Sequence, residues 1–138
     1  MPTVKEVLND TKKRLKEQGI DTYSLDSSLL VSEVTGLTKI QLVTHDRDEV
    51  TEEQINRLEN LVKERLKNKP MQYILGHCEF MGLDFKVTEN TLIPRGDTEN
   101  IVEEVIATIE NSGYNNVLDM CTGTGAIAIS VAHYTKAK

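Results

Sequence analysis

Through its first half the chain repeats apolar and polar positions with the period of a helix, and each repeat carries its own start and stop signals. Val4, Val7, Leu8, Thr11 and Leu15 share a face of a helix that the capping-box spacing Thr3-x-x-Glu6 can begin and Gly19 can end. Ser24 can cap a second helix, carrying Leu25, Leu29, Leu30 and Val34 and closing at Gly36, and Thr38-x-x-Gln41 starts a short third. Thr51-x-x-Gln54 opens the longest helix, with Ile55, Leu58, Val62 and Leu66 on one side; acids at its start and Lys and Arg at its end complement its dipole. That helix must stop before Pro70. Such stripes are satisfied by packing on one another, so residues 1–69 are expected to form a helical bundle whose leucines are core. His45, at a helix end among charges, reads as a cap or surface residue with no metal site around it.

From Gln72 the period changes. Tyr73-Ile74-Leu75, and then Leu83, Phe85 and Val87 alternating with Asp84 and Lys86, read as two strands of a hairpin joined around Met81-Gly82. Leu92-Ile93-Pro94-Arg95 follows as an extended stretch, with Pro94 biasing Ile93 away from helix. Gly96 and Asp97 can begin one more helix, whose apolar face is Ile101, Val102, Val105, Ile106 and Ile109 and which Asn111-Ser112-Gly113 ends.

The residues that carry chemistry come after that helix. Asn116-Val117-Leu118-Asp119-Met120-Cys121-Thr122-Gly123-Thr124-Gly125-Ala126 reads as an apolar strand, an acid, a glycine-rich turn and a helix start. Val117 and Leu118 suit a buried strand of a parallel sheet. Gly123 and Gly125 permit positive φ and place no Cβ between the turn and a ligand, and the helix opened by Ala126 aims its free N–H groups at the site. Asp119 would sit poorly beside a pyrophosphate but suits an ammonium or sulfonium, an order that favours S-adenosylmethionine. Gly123-Thr124-Gly125-Ala126-Ile127-Ala128 also fits the dinucleotide fingerprint, but an acid and three residues separate strand from glycine, and a ribose-binding acid about 20 residues on would fall beyond Lys138. A P-loop fails for want of Lys-Ser or Lys-Thr after the glycines, and a bare strand-to-helix turn would need only one glycine.

Composition adds bounds rather than detail. With 138 residues the chain holds one ordinary domain, or a small one and part of another, and the change of period favours the second. A hydrophobic share of 38%, a charged share of 28% and no long apolar run describe a soluble chain without a membrane span, and the charged N-terminus shows no signal peptide. The net charge of −6 offers no footprint for nucleic acid. Cys78 and Cys121 form neither a C-x-x-C pair nor a ligand cluster with the histidines, as expected of reduced thiols in the cytoplasm.

Taken together, Pro70-Met71-Gln72-Tyr73-Ile74-Leu75-Gly76, Glu79-Phe80, Leu92-Ile93-Pro94-Arg95-Gly96-Asp97-Thr98-Glu99 and the Asp119 loop resemble the HemK/PrmC protein-glutamine methyltransferases throughout residues 70–128. Residues 1–69 resemble that family's helical N-terminal domain in pattern. The resemblance implies an α+β chain with three parts: a helical bundle over 1–69, a connecting β-hairpin over 70–95, and over 96–138 the first strand and helix of a Rossmann-like class I methyltransferase domain. It implies methyl transfer from S-adenosylmethionine to the side-chain amide of the glutamine in the Gly-Gly-Gln motif of peptide chain release factors. Asp119, Cys121, Thr122, Gly123, Thr124 and Gly125 would surround the cofactor, and Arg95, Thr98 and Glu99 would shape the pocket where hairpin and catalytic domain meet. The bundle and hairpin would dock the release factor, with no contact to nucleic acid or membrane, and a monomer is expected.

The sequence departs from the family pattern in three ways. Gly96 stands where proline is usual, and Cys121 stands where glycine is common, acceptable only if its φ is negative. The Asn-Pro-Pro-Tyr motif that holds the glutamine in this family is absent, the prolines being Pro2, Pro70 and Pro94. The chain therefore reads as an N-terminal fragment with no catalytic residue of its own, inactive by itself. Its Val117 strand and the helix after it are expected to be disordered, or packed on the 97–110 helix or on a neighbouring molecule. Arg95 could equally pair with Asp97 or Glu99, and Cys78 reads as an ordinary strand residue. Two other readings stay open: a helical interaction module with an incidental glycine loop, and a dinucleotide-dependent oxidoreductase.

Overall fold

The computed structural model describes residues 1–138, which divide into two compact units, Met1–Leu75 and Gly76–Lys138. The first unit is built from helices α1 (Val4–Glu17), α2 (Tyr23–Thr35), α3 (Lys39–Thr44), α4 (Glu52–Leu66) and α5 (Met71–Leu75). Three of them start as the spacing predicts: Thr3 with Glu6, Thr38 with Gln41 and Thr51 with Gln54 each form a complete capping box. Gly36 closes α2 in the left-handed region at φ 76°, and α4 ends at Leu66 ahead of Pro70. α2 starts at Tyr23 rather than after Ser24, with Thr22 at its cap position; the Thr22 hydroxyl donates to Asp26 Oδ2 at 2.7 Å and caps no backbone N–H. The free N–H groups at the start of α1 are met from outside the helix, Val4 N–H donating to Asp48 O and Lys5 N–H to Asp46 O, both at 2.9 Å.

α2 lies between α1, α3 and α4, and its Leu30 and Val31 are fully buried with Val4, Leu15, Val50 and Val62. Across the bundle surface, the Arg14 guanidinium of α1 donates two hydrogen bonds to the Glu59 carboxylate of α4, at 2.7 and 2.9 Å. That bidentate bond is the main reason the Glu59 carboxyl titrates below its ordinary value of 4.5. A depressed folded-state pKa contributes stability above the unfolded value and loses it as pH falls. This pair is therefore expected to account for no more than about 1 kcal/mol of the stability lost as pH falls below ~4.5, being partly solvent-screened. Urea midpoints at pH 7 and pH 3 read the loss, which should shrink in Glu59→Gln.

Two strand expectations are corrected. Tyr73-Ile74-Leu75 is helical, in α5, because Pro70 opens a turn there: its carbonyl accepts from both Tyr73 N–H and Ile74 N–H. The hairpin is instead β1 (His77–Phe80) antiparallel to β2 (Leu83–Lys86), turning at Met81-Gly82. α5 thus lies in the helical unit and the hairpin in the second unit. Residues 116–118 form no strand, and Leu118 is 82% exposed, because the only sheet is the two-stranded hairpin and no strand of it lies beside them. What these residues do have is a link to Lys138. Val117 N–H donates to Lys138 O at 2.9 Å and Lys138 N–H to Asn115 O at 2.6 Å, the bonding of a parallel bridge.

The second unit also contains α6 (Thr98–Ser112), begun at Asp97 and ended by Gly113 in the left-handed region, and α7 (Ala126–Tyr134). Of the outcomes expected for the final helix, packing on the preceding one is observed: α7 lies on α6, and Ala126 and Val131 share a core with Phe80, Phe85 and Val102. Phe80 meets Phe85 edge-on, ring centroids 6.2 Å apart. No helix is long and apolar enough to cross a membrane.

Candidate functional site

Residues 119–125 form a tightly curled loop between the exposed 114–118 segment and α7. Three alternate positions sit in the left-handed region: Cys121 at φ 58°, Gly123 at 59° and Gly125 at 81°. The two glycines meet the expectation of positive φ, and for different further reasons. A Cβ at Gly125 would come within 2.9 Å of Ile129 Cδ1, so this glycine also admits the side chain of the helix it starts; a Cβ at Gly123 would meet nothing within 4 Å. Gly125 N–H donates to Thr122 O at 2.9 Å, closing the turn, and Thr122 Oγ1 donates to Asp119 Oδ2 at 2.8 Å, fixing the acid to the loop.

Cys121 corrects the condition set for it: its φ is positive. The residue carries the left-handed penalty of an L side chain, about 1–2 kcal/mol. Cys121→Gly is accordingly expected to raise the stability of the second unit by up to about 1 kcal/mol, after the entropy that glycine adds to the unfolded chain. Cys121→Ala should change little, and thermal unfolding of the two variants beside the parent reads the difference.

The loop borders a cleft of about 280 Å³ whose lining includes Arg95, Thr98, Cys121, Thr122, Gly123 and Thr124. Six of the nine predicted site residues are thus brought together. Asp119 and Gly125 support the loop from outside that lining, and Glu99 is turned elsewhere, its Oε1 accepting from Met81 N–H at 2.9 Å. Arg95 forms no ion pair with Asp97 or Glu99, so its exposed guanidinium is available to the cleft. Phe80, Leu92 and Ile93 line the same cleft and were not anticipated as site residues from the sequence. Phe80 could have been found from alternation, since it falls on the apolar face of the hairpin with Phe85, whereas the approach of residues 92–94 to the loop has no local signal. Cys78 is half-buried on β1, and burial, followed by the charge of Asp84, pushes its thiol above the ordinary range, as suits a strand residue and not a nucleophile. No group of three or more His, Cys, Asp or Glu side chains could hold a metal ion.

With this geometry in view, comparison with known proteins is decisive at the family level. A family model described as the PrmC N-terminal domain matches residues 6–76, about half the chain and nearly the whole helical unit. The chain belongs to the PrmC family. Proteins named release factor glutamine methyltransferase are similar over almost its full length. That of Clostridium acetobutylicum is 41% identical over 96% of this chain and 47% of its own length, and that of Moorella thermoacetica 36% identical over the same shares. A third, from Geobacter sulfurreducens, is 39% identical over 94% of this chain and 45% of its own length. The chain spans about half the length of the curated relatives it matches. PrmC-family likeness in the domain model stops at residue 76, before the cleft, so only the relatives' alignments extend across the site residues.

Proposed function

We propose that a polypeptide carrying this chain transfers the methyl group of S-adenosylmethionine to the side-chain amide nitrogen of the glutamine in the Gly-Gly-Gln motif of peptide chain release factors. One observation carries the reading: Arg95 and Thr98 share a cleft with Cys121–Thr124, in a chain whose relatives are named release factor glutamine methyltransferase.

The residues present suit this cofactor. Gly123 leaves the loop backbone open on the side where a ligand would lie. α7 begins directly after Gly125, so the unbonded N–H groups of its first turn face the loop region. Asp119, held by Thr122 beside the cleft rather than in its lining, is a carboxylate suited to an ammonium group and ill suited to a pyrophosphate, which also weighs against the dinucleotide reading. When bound, the cofactor supplies an electrophilic methyl group on its sulfonium. Around it, Phe80, Leu92 and Pro94 would give the cleft apolar sides, while Arg95 adds a positive edge. An amide nitrogen is a poor nucleophile and needs orienting; the Asn-Pro-Pro-Tyr motif that would do so is not among these 138 residues.

The Rossmann-like character of residues 96–138 belongs to the same proposal. It is supported by the parallel bonding of Asn115 and Val117 with Lys138 across α7, the start of a strand–helix–strand unit. The helical unit is proposed to dock the release factor. Ile40 and Val43, one turn apart on α3, are 77% and 75% exposed, an apolar pair a protein partner would cover. That pair would serve an interaction module equally well, and one assay separates the two. These 138 residues alone, incubated with labelled S-adenosylmethionine and a release factor, are expected to transfer nothing. Joined in frame to the second half of the Clostridium acetobutylicum relative, they are expected to label the factor, and not a variant with Gly-Gly-Glu in place of Gly-Gly-Gln. An unlabelled factor in the joined form would leave the interaction module.

A further inference from the structure

Met81 is an unusual residue to find at a hairpin turn. Phe80 pairs with Leu83, so Met81 and Gly82 alone make the connection, with φ values of 52° and 73°. Positive φ at both positions is the two-residue turn whose twist matches the strands, and it normally takes asparagine or aspartate followed by glycine. Gly82 fits; Met81 carries the left-handed penalty with no side-chain bond to offset it.

The offset comes from elsewhere in the unit. Both backbone groups of Met81 are taken by side chains: its N–H donates to Glu99 Oε1 at 2.9 Å, and its carbonyl accepts from the Tyr134 hydroxyl at 2.6 Å. The same hydroxyl would lie 3.4 Å from a Cβ on Gly82, so it sits against the whole turn. Glu99 is in the first turn of α6, just after Arg95 and Thr98, and Tyr134 is the last residue of α7, the helix that the glycine loop begins. The turn is therefore tied to both helices that carry cleft residues at their starts. Its other neighbour is Phe80, 1% exposed and part of the cleft wall. A hairpin that slipped by one residue would carry Phe80 to the opposite face, because side chains alternate with a period of two.

We infer that Glu99 and Tyr134 are positioning residues that pin the register of the hairpin turn, so that Phe80 stands as a wall of the candidate cleft. The inference deepens the methyltransferase reading and rests on it for the use of the cleft. Tyr134 is 43% exposed and Glu99 half-buried, so what each contributes is the directed polar bond rather than bulk in the core.

The chain has only two phenylalanines, which makes the test direct. Fluorophenylalanine labelling of the 138-residue chain gives two fluorine resonances, and Phe85→Leu assigns them. The Phe80 line is expected to shift or split in Glu99→Ala and in Tyr134→Phe. It should hold its position in Glu99→Gln, which keeps an acceptor oxygen, and in Tyr114→Phe, which removes a hydroxyl from a 69% exposed residue that makes no bond to the turn. Hydrogen exchange adds a signature that general loosening would not produce: the Met81 amide exchanges about tenfold faster in Glu99→Ala, the worth of one bond to a charged acceptor, while Leu42 and Val62 of the helical unit keep their rates. Tyr134→Phe removes one hydroxyl, the mildest change available, and keeps the test informative should Glu99→Ala fail to fold. An unmoved Phe80 line in both variants, or a Glu99→Gln spectrum displaced as far as that of Glu99→Ala, would overturn the inference. None of these readouts involves a cofactor. A failed methyl-transfer assay would therefore remove the proposed reaction and leave the clamp, and an unmoved Phe80 line beside active transfer would do the reverse.

Discussion

Asp26→Ala is expected to destabilise the helical unit by about 3–5 kcal/mol, enough to leave it largely unfolded if it has the usual margin of a small domain. Asp26 is 4% exposed, in the first turn of α2, and its Oδ2 accepts from the Thr22 hydroxyl and, at 3.0 Å, from Arg65 Nε in the last turn of α4. Arg65, with only 16% of its side chain exposed, donates in turn to Lys69 O at 3.0 Å, immediately before Pro70. One buried pair thus joins two helices and the segment by which the chain leaves α4. Each charge also lies at the helix end whose dipole favours it. The cost arises less from the attraction lost than from the guanidinium left without its partner in a place water hardly reaches. That account makes a second claim: replacing both partners with apolar residues of similar size, Asp26→Leu with Arg65→Met, should recover most of the loss. Urea unfolding followed by circular dichroism measures both variants. A single-variant loss under about 1 kcal/mol, or a double variant no better than the single, would show that the pair is held by the fold rather than holding it.

Asp26 marks the boundary of what could be read from the sequence. The features that were legible depend on residues three or four apart. Each Thr-x-x-Glu or Thr-x-x-Gln spacing became a capping box, and Gly36 and Gly113 became left-handed helix ends, because partner and acceptor belong to one turn of chain. Tyr73-Ile74-Leu75 is ambiguous by pattern, since three adjacent apolar residues fit a strand or a buried helical turn alike, and the Pro70 carbonyl makes the choice against the strand expected there. Val117 and Leu118 have strand composition, but a strand needs a neighbour, and within these residues only Lys138 begins to supply one.

The site divides in the same way. Positive φ at Gly123 and Gly125 and the helix start after them are local properties, and they were readable. The family resemblance supplied Arg95, Thr98 and Glu99; the first two line the cleft and the third accepts from the hairpin turn. Tyr134 carried no signal, since its partner lies 53 residues away and nothing in a helix's last residue announces which carbonyl it will find. Cys121 shows the converse limit: the sequence exposed a conflict between residue type and backbone, and the structure keeps the backbone. Loop curvature here outweighs the preference of one side chain, which is the pattern of a loop shaped for contact with a ligand.

That priority leads to the second large effect, Gly123→Ala in the joined form, where methyl transfer is expected to fall by about two orders of magnitude or more. Backbone strain alone would not justify the figure, and Gly113→Ala supplies the comparison that removes it. Both glycines are left-handed, at φ 59° and 75°, and a Cβ on either meets nothing within 4 Å. Each alanine should therefore cost about 1 kcal/mol of stability, the left-handed penalty less the entropy removed from the unfolded chain. What differs is the place of the added methyl. Gly113 stands exposed at the end of α6, whereas Gly123 lines the cleft with Arg95 and Thr98, where an added methyl takes space a ligand would need. Equal losses of thermal stability, with transfer lost only in Gly123→Ala and its KM for S-adenosylmethionine raised, would locate the cofactor against this loop. Equal losses of transfer in both would mean that activity follows stability alone, and the open face of Gly123 would then have no ligand to receive.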